Sequence, residues 1–265
     1  MIYAMTIKVG LFGFGKTGKV VAEEIIKDPE CRLEWIIRKS RMNEGDYAGN
    51  LLGLNAREGK IFSASSISDT FYQKNYVDVI VDFSSPNAVD DYGKSTKYGT
   101  KIISAISKYD SNDLDTLRKL GKKTAVIYSP NITLGINFLI AIANILKQII
   151  PDADVEIVEE HSKSKKETSG TALKIAENLG LDKEKHINSI RIGGIVSKHE
   201  VIFGLPNQII RLIHETTNRA AFGIGALYAA KWLVNQKKGL YTMEEIITDS
   251  IVRNLKLPDL PKMEI

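Results

Sequence analysis

His161, Lys165 and the run Ser169-Gly170-Thr171 stand within one short stretch, Val155-Glu-Ile-Val-Glu-Glu-His-Ser-Lys-Ser-Lys-Lys-Glu-Thr-Ser-Gly-Thr-Ala172. An imidazole titrates near operating pH, so His161 suits a proton donor. Of Lys163, Lys165 and Lys166, one supplies fixed positive charge to a substrate and the others face water. Two hydroxyls and the free amides of a helix start form a cradle for a carboxylate. The same residue types are favoured helix caps, and the two uses are compatible. Together they suit catalysis on a small molecule that carries carboxylates. The remaining histidines fit blander roles: His186 lies in a charged, solvated run, and His199 and His214 fall in predicted strands as structural residues. No metal site is expected, because the histidines are scattered and Cys31 is the single cysteine. No G-x-S-x-G nucleophile elbow occurs.

A second constellation lies near the start. Gly13-Phe14-Gly15-Lys16-Thr17-Gly18 matches G-x-G-x-x-G, with Gly10 before it. The first glycine permits a tight turn, the second lets a pyrophosphate approach the backbone, and the third lets helix and strand pack closely. The motif follows a predicted strand and opens a predicted helix, the context that gives it weight. The next strand ends in Arg38-Lys39-Ser40-Arg41, where an NAD-selective site usually has an acidic residue for the ribose hydroxyls. Cations there suit a 2′-phosphate, so the expected cofactor is NADPH, with NADH possible.

The elements that must hold these groups follow from the pattern. Apolar strands at residues 6–12, 33–37, 76–83, 101–105 and 125–128 alternate with helices, including 19–27 and 112–120, which implies a parallel sheet with right-handed crossovers. After residue 131 the pattern changes to helix 134–150, strand 154–159, helix 169–179, strands within 187–215, an apolar helix 220–234, a last helix 243–251 and a proline-containing tail. The expected fold class is α/β: an N-terminal Rossmann-type parallel sheet plus a central α+β domain with a mostly antiparallel or mixed sheet. Residues 1–131 with 240–265 are expected to form the dinucleotide domain, and 132–239 the substrate and assembly domain.

The chain of 265 residues is 43% apolar and 26% charged with net charge +4, which fits a globular protein handling anionic small molecules. No basic block interleaved with aromatics points to nucleic acid, and no uncharged apolar run is long enough to span a membrane. One cysteine excludes an internal disulfide and suits the cytoplasm. The opening Met-Ile-Tyr-Ala-Met is too short for a signal peptide, and Met5 is a possible start.

These segments resemble dihydrodipicolinate reductase, the NAD(P)H-dependent family of bacterial lysine and diaminopimelate synthesis. The likeness is carried by 9–18, Asp78-Val-Ile-Val-Asp-Phe-Ser-Ser-Pro86, Tyr128-Ser-Pro-Asn-Ile-Thr-Leu-Gly-Ile-Asn137, Glu156-Ile-Val-Glu-Glu-His161, Ser169-Gly-Thr-Ala172, Gly193–Gly204, Asn218-Arg-Ala-Ala-Phe222 and Gly239–Met243. The resemblance implies a homotetramer assembled through the central sheet, and a nucleotide domain completed by the C-terminal helix. It implies that His161 is the catalytic acid and that Lys165 assists protonation and binds substrate. It places Ser169, Gly170 and Thr171 at the substrate carboxylate, and Arg219 and Phe222 near the substrate pocket. Cofactor contacts fall at Phe83, Ser84, Ser129, Asn131 and Ile132.

Three departures are visible. Ser162 replaces the second of two adjacent histidines and leaves the substrate site one donor fewer. The loop before Ser169 is one residue shorter and lacks proline. The family's Gly-Thr-Thr-Gly nicotinamide loop aligns with Ser104-Ala-Ile106-Ser107, where a β-branched side chain narrows the space beside the cofactor. The reaction implied is reduction of a cyclic imine dicarboxylate by NADPH. Two other readings keep the fold: a related imine or amino-acid dehydrogenase with another substrate, and a nucleotide-sensing homologue with impaired catalysis.

Overall fold

The computed structural model describes residues 6–68 and 70–255; the Met5 start and the proline-containing tail lie outside the described residues. Within residues 6–133 the elements are β1 (Ile7–Phe12), α1 (Lys16–Lys27), β2 (Cys31–Arg38), α2 (Ala48–Leu51), β3 (Lys60–Ser63), α3 (Phe71–Lys74), β4 (Val79–Asp82), α4 (Ala88–Gly93), β5 (Lys101–Ser104), α5 (Ser111–Gly121) and β6 (Ala125–Tyr128). There follow α6 (Leu134–Ile149), β7 (Asp154–His161), α7 (Gly170–Asn178), β8 (Ile187–Arg191), β9 (Ser197–Leu205), β10 (Gln208–Thr216), α8 (Ala220–Leu233), β11 (Gly239–Tyr241) and α9 (Met243–Leu255).

The chain forms two compact units, residues 6–133 with 216–241, and residues 134–215 with 242–255. This moves the expected boundaries. The apolar helix α8 joins the first unit because it packs on α1 and under β4 to β6. There Gly223 lies against Glu24, and Lys231 pairs with Asp28 at 2.9 Å and Glu30 at 2.7 Å. The C-terminal helix α9 joins the second unit, packed on α6, with Asn178 Nδ2 donating to Glu244 Oε1 at 2.8 Å.

In the first unit a seven-stranded sheet runs β11-β6-β5-β4-β1-β2-β3, all pairs parallel. The order of β1 to β6 is that of a dinucleotide-binding sheet, with its switch point between β1 and β4. Helices cover both faces, which explains why Val79 to Asp82 are all buried. One face packs Phe12, Trp35, Phe71, Tyr72 and Tyr92 edge to face.

The second unit has a mixed four-stranded sheet, β10-β9-β7-β8, with β7 antiparallel to β9 and parallel to β8. Side chains alternate across it. Val155, Ile157, Val201 and Phe203 face a core closed by α6 and α7. On the opposite face Lys198 pairs with Glu160 and Arg211 with Glu200, while Ile190, Ile209 and Ile213 are exposed.

Candidate functional site

In β7 the core-facing positions are Val155, Ile157, Glu159 and His161, the last residue of the strand. The pattern thus turns from apolar to ionisable without leaving the buried face. Glu159 is fully buried and its carboxylate is crowded with donors. Oε1 accepts from Ser189 Oγ at 2.6 Å, Arg191 NH2 at 2.6 Å and Ser169 N at 3.2 Å, and Oε2 accepts from Arg191 NH1 at 2.9 Å and from His161 Nδ1. Burial pushes this carboxyl up, but hydrogen bonds from Arg191, Ser189, His161 and Ser169 overcome that and hold it down at about 2. An ionised carboxylate only accepts, so the proton of neutral His161 sits on Nδ1 and Nε2 is left to exchange protons.

Burial lowers the His161 pKa; Glu159 opposes this, and the charges of Lys165 and Arg191 add to the lowering. Its ring meets that of His199 edge to face, with centroids 5.3 Å apart. His199 is pressed down to about 3, chiefly by burial, and so remains neutral. Its Nε2 lies 2.8 Å from Ser169 Oγ. Ser169 holds the N-cap position of α7, yet its hydroxyl goes to His199 and not to the first turn. Gly170 beside it is exposed, and a Cβ there would meet nothing within 4 Å. Thr171 is half-buried at the same helix start.

Lys163 and Lys166 are exposed and Lys165 is half-buried, so the structure separates the three lysines. Burial lowers the Lys165 pKa, Glu159 resists, and Arg191 adds to the lowering. Ser162 is half-buried and pairs its hydroxyl with that of Ser164 at 2.9 Å. His161, Ser162, Lys165, Ser169, Gly170 and Thr171 therefore share one end of the second unit. Arg219 belongs to the first unit, exposed at the N-cap of α8. Glu159, Arg191 and His199 escaped the sequence reading as site residues. The available signal for Glu159 was its even spacing from Val155, Ile157 and His161.

The other predicted residues gather at the carboxyl ends of β1, β2, β4, β5 and β6 in the first unit. Gly13 has φ of +98° and lies so close to β4 that a Cβ would stand 2.7 Å from the Phe83 carbonyl oxygen. Its amide donates to Ile37 O at 2.8 Å, tying the loop to the strand that ends in Arg38. Gly18 passes under the Gly13 carbonyl, leaving only 2.2 Å for a Cβ. Gly15, by contrast, is exposed, caps α1 with no side chain, and has nothing within 4 Å of its Cβ position. That open surface at a helix N-terminus fits a dinucleotide's pyrophosphate.

Lys16 is exposed, Thr17 is half-buried, and Phe14 is buried beneath Lys19 Nζ at 5.6 Å. Gly10 is buried within β1, where the Trp35 indole takes the space of a Cβ. Arg38 is half-buried and donates to Met42 O at 3.1 Å, with Lys39 and Arg41 exposed. Phe83 is half-buried and Ser84 exposed, the latter donating from N at 2.8 Å and Oγ at 2.6 Å to Asp82 Oδ1. Ser104 is buried against the Tyr109 hydroxyl at 2.8 Å, and Ile106 is buried beyond it. Ser129 Oγ donates to Asn131 O at 2.9 Å, Asn131 is half-buried, and Ile132 is buried against Gly225 of α8. Among the described residues no group of three or more His, Cys, Asp or Glu could hold a metal ion, and no helix is long and apolar enough to cross a membrane.

Family models for the N-terminus and the C-terminus of dihydrodipicolinate reductase match residues 7–132 and 135–247. The 4-hydroxy-tetrahydrodipicolinate reductase of Caldanaerobacter subterraneus subsp. tengcongensis is 35% identical over 255 residues, covering 88% of this chain and 94% of its own. That of Thermosipho africanus is 34% identical over 186 residues, covering 69% of this chain and 85% of its own. Among solved structures, dipicolinate-bound dihydrodipicolinate reductase from Paenisporosarcina sp. TG-14 shares the fold, with a TM-score of 0.77 at 22% identity over 91% of this chain and 100% of that one.

Proposed function

The chain belongs to the dihydrodipicolinate reductase family of NAD(P)H-dependent oxidoreductases, and from that premise we propose that it reduces a cyclic imine dicarboxylate of the dihydrodipicolinate type, at the reductase step of lysine and diaminopimelate synthesis. The observation that carries this is the buried Glu159–His161 pair beside Lys165 and the open start of α7. A nicotinamide cofactor, when bound, supplies the hydride. The glycine loop, with Phe14, Lys16 and Thr17, would hold its pyrophosphate, while Phe83, Ser84, Ser104, Ile106, Ser129, Asn131 and Ile132 line the strand ends further along. Arg38 and Lys39 favour the 2′-phosphate of NADPH. Ala substitution of Arg38 should raise KM for NADPH several-fold and leave KM for NADH nearly unchanged; equal loss with both cofactors would remove the phosphate preference.

Lys165, Ser162 and the α7 start with Ser169, Gly170 and Thr171 bind the carboxylates. Glu159 orients His161, and Nε2 delivers the proton that completes the reduction. An arriving dianion favours the charged form of His161, so substrate binding itself recruits the proton. The test is loss of absorbance at 340 nm with NADPH and the enzymatically generated pathway substrate, together with competition by dipicolinate. His161→Ala should then lower kcat by roughly 100- to 10,000-fold, the usual worth of a general acid, with NADPH affinity unchanged.

The assembly follows the same reading. The exposed Ile190, Ile209 and Ile213 lie on the sheet face that carries the Lys198–Glu160 and Arg211–Glu200 pairs, a surface suited to a second copy in a homotetramer. The single cysteine, buried and unreactive, suits the cytoplasm.

A further inference from the structure

Arg191 lies thirty residues beyond the histidine segment, and the reaction proposed above gives it no task. Its geometry does. The guanidinium has five N–H donors, and each is committed within the protein. NH1 and NH2 grip Glu159 as a fork at 2.9 and 2.6 Å. The other NH1 proton goes to Ile190 O at 2.9 Å, the other NH2 proton to Glu167 O at 2.8 Å, and Nε donates to Lys165 O at 3.0 Å. The loop between His161 and α7 is therefore fastened through the backbone of the residues on and just after Lys165. The same guanidinium fixes the carboxylate that binds His161 Nδ1 and Ser169 N.

We propose that Arg191 is a positioning residue that sets Lys165, His161 and the α7 carboxylate cradle as one unit by joining the loop backbone to Glu159. This deepens the proposed function and rests on it. A substrate-clamping arginine would keep donors free for the ligand, and Arg191 has none to spare. Its side chain is one-fifth exposed, while Glu159 is fully buried, so the fork is shielded from competing water. Lysine cannot replace it, since a single ammonium cannot reach a carboxylate side-on and two carbonyls of a separate loop.

The test uses the full-length protein with Arg191→Lys and Arg191→Ala. Dipicolinate and NADPH affinities are measured by titration, turnover at 340 nm, and hydrogen exchange over the peptide spanning 162–169. For Arg191→Lys we expect faster exchange in that peptide, dipicolinate binding weakened at least tenfold, and NADPH affinity within twofold of the parent. Its kcat/KM should fall roughly 100-fold, the order set by misplacing reacting groups by about an ångström. Added guanidinium should restore part of the turnover of Arg191→Ala. A purely structural role would instead lower the folded fraction and leave the folded remainder with parental dipicolinate affinity and exchange. That result, in Arg191→Lys or in whichever variant folds, would overturn the proposal. Exchange and dipicolinate binding are read without turnover, so an inactive parent enzyme would count against the proposed reaction and not against the role of Arg191.

Discussion

His161 donates its Nδ1–H in a hydrogen bond to a carboxylate already held down at about 2, so the pair acts as an oriented imidazole with a fixed counter-charge. The free-enzyme His161 titrates below its ordinary value, because burial outweighs Glu159. Bound dianion should raise it. In the proposed reaction protonated His161 is the active form, so activity should fall as pH rises, and kcat/KM, which reports free enzyme, should fall at lower pH than kcat. Coincident limbs would show that substrate does not recruit the proton. Glu159→Gln should move the kcat limb down by about a pH unit, as a charged hydrogen bond worth ~1.5–3 kcal/mol is replaced by a neutral one.

Asp82 is the counterpart in the first unit. It is buried with Oδ2 unpartnered, and burial raises it to about 6 against the pull of Ser84 and the nearby tyrosines. A raised carboxyl contributes stability that is fully present below its unfolded value, near ~4, and is lost as pH rises through about 6. Asp82→Asn should therefore raise the melting temperature by a few degrees at pH 8 and change it little at pH 4; equal shifts at both pH values would refute the account. At this scale the sequence exposes His161, Lys165 and Ser169 because their chemistry is packed into one window. Glu159 and Glu160 differ only in strand parity, and Arg191 reaches Glu159 through the pairing of β7 with β8, a register written in no local motif.

The glycine loop shows how an element divides labour among identical residues. Gly18 is needed by the fold, since any Cβ would collide with the Gly13 carbonyl. Gly15 is needed by nothing in the protein itself. Gly15→Ala should fold with a nearly unchanged melting temperature and raise KM for NADPH about tenfold or more, by filling the surface the pyrophosphate would approach. Gly18→Ala should cost about 1–3 kcal/mol of stability in a thermal melt. Similar behaviour of the two variants would undo the distinction.

The strands of this sheet were legible wherever both faces are buried, since such runs are continuously apolar. Two short ones were not. Lys60–Ser63 sets two apolar residues between two polar ones, a span too brief to stand out. Gly239–Tyr241, three residues that open on a glycine just before the last helix, is too brief to carry a strand signal and forms β11. That helix starts after it, at Met243, behind a capping box in which Thr242 Oγ1 accepts from Glu245 N at 3.2 Å and Glu245 Oε2 from Thr242 N at 2.8 Å.

For the whole molecule, the exposed isoleucines of the mixed sheet carry a direct prediction. Ile209→Lys with Ile213→Lys should turn the proposed tetramer into smaller species in light scattering, with NADPH affinity kept. An unchanged mass would exclude this face as the assembly surface. The division into units was only partly legible, because hydropathy marks α8 and α9 as helices without saying which sheet or helix each will cover. Contacts between residues distant in sequence, such as Lys231 with Asp28, go with that choice and have no local signature. The result is a chain that leaves the first unit at residue 133, returns at 216 and leaves again at 241. Neither unit is a continuous piece of chain, and this bears on the order of synthesis. When a ribosome has released β6, that strand still has one bare edge, and the partner that will cover it, β11, is more than a hundred residues from being made. The first sheet begun is thus finished only after every strand of the second has emerged, and for that interval the nascent nucleotide-binding sheet carries an open edge that other chains could pair with.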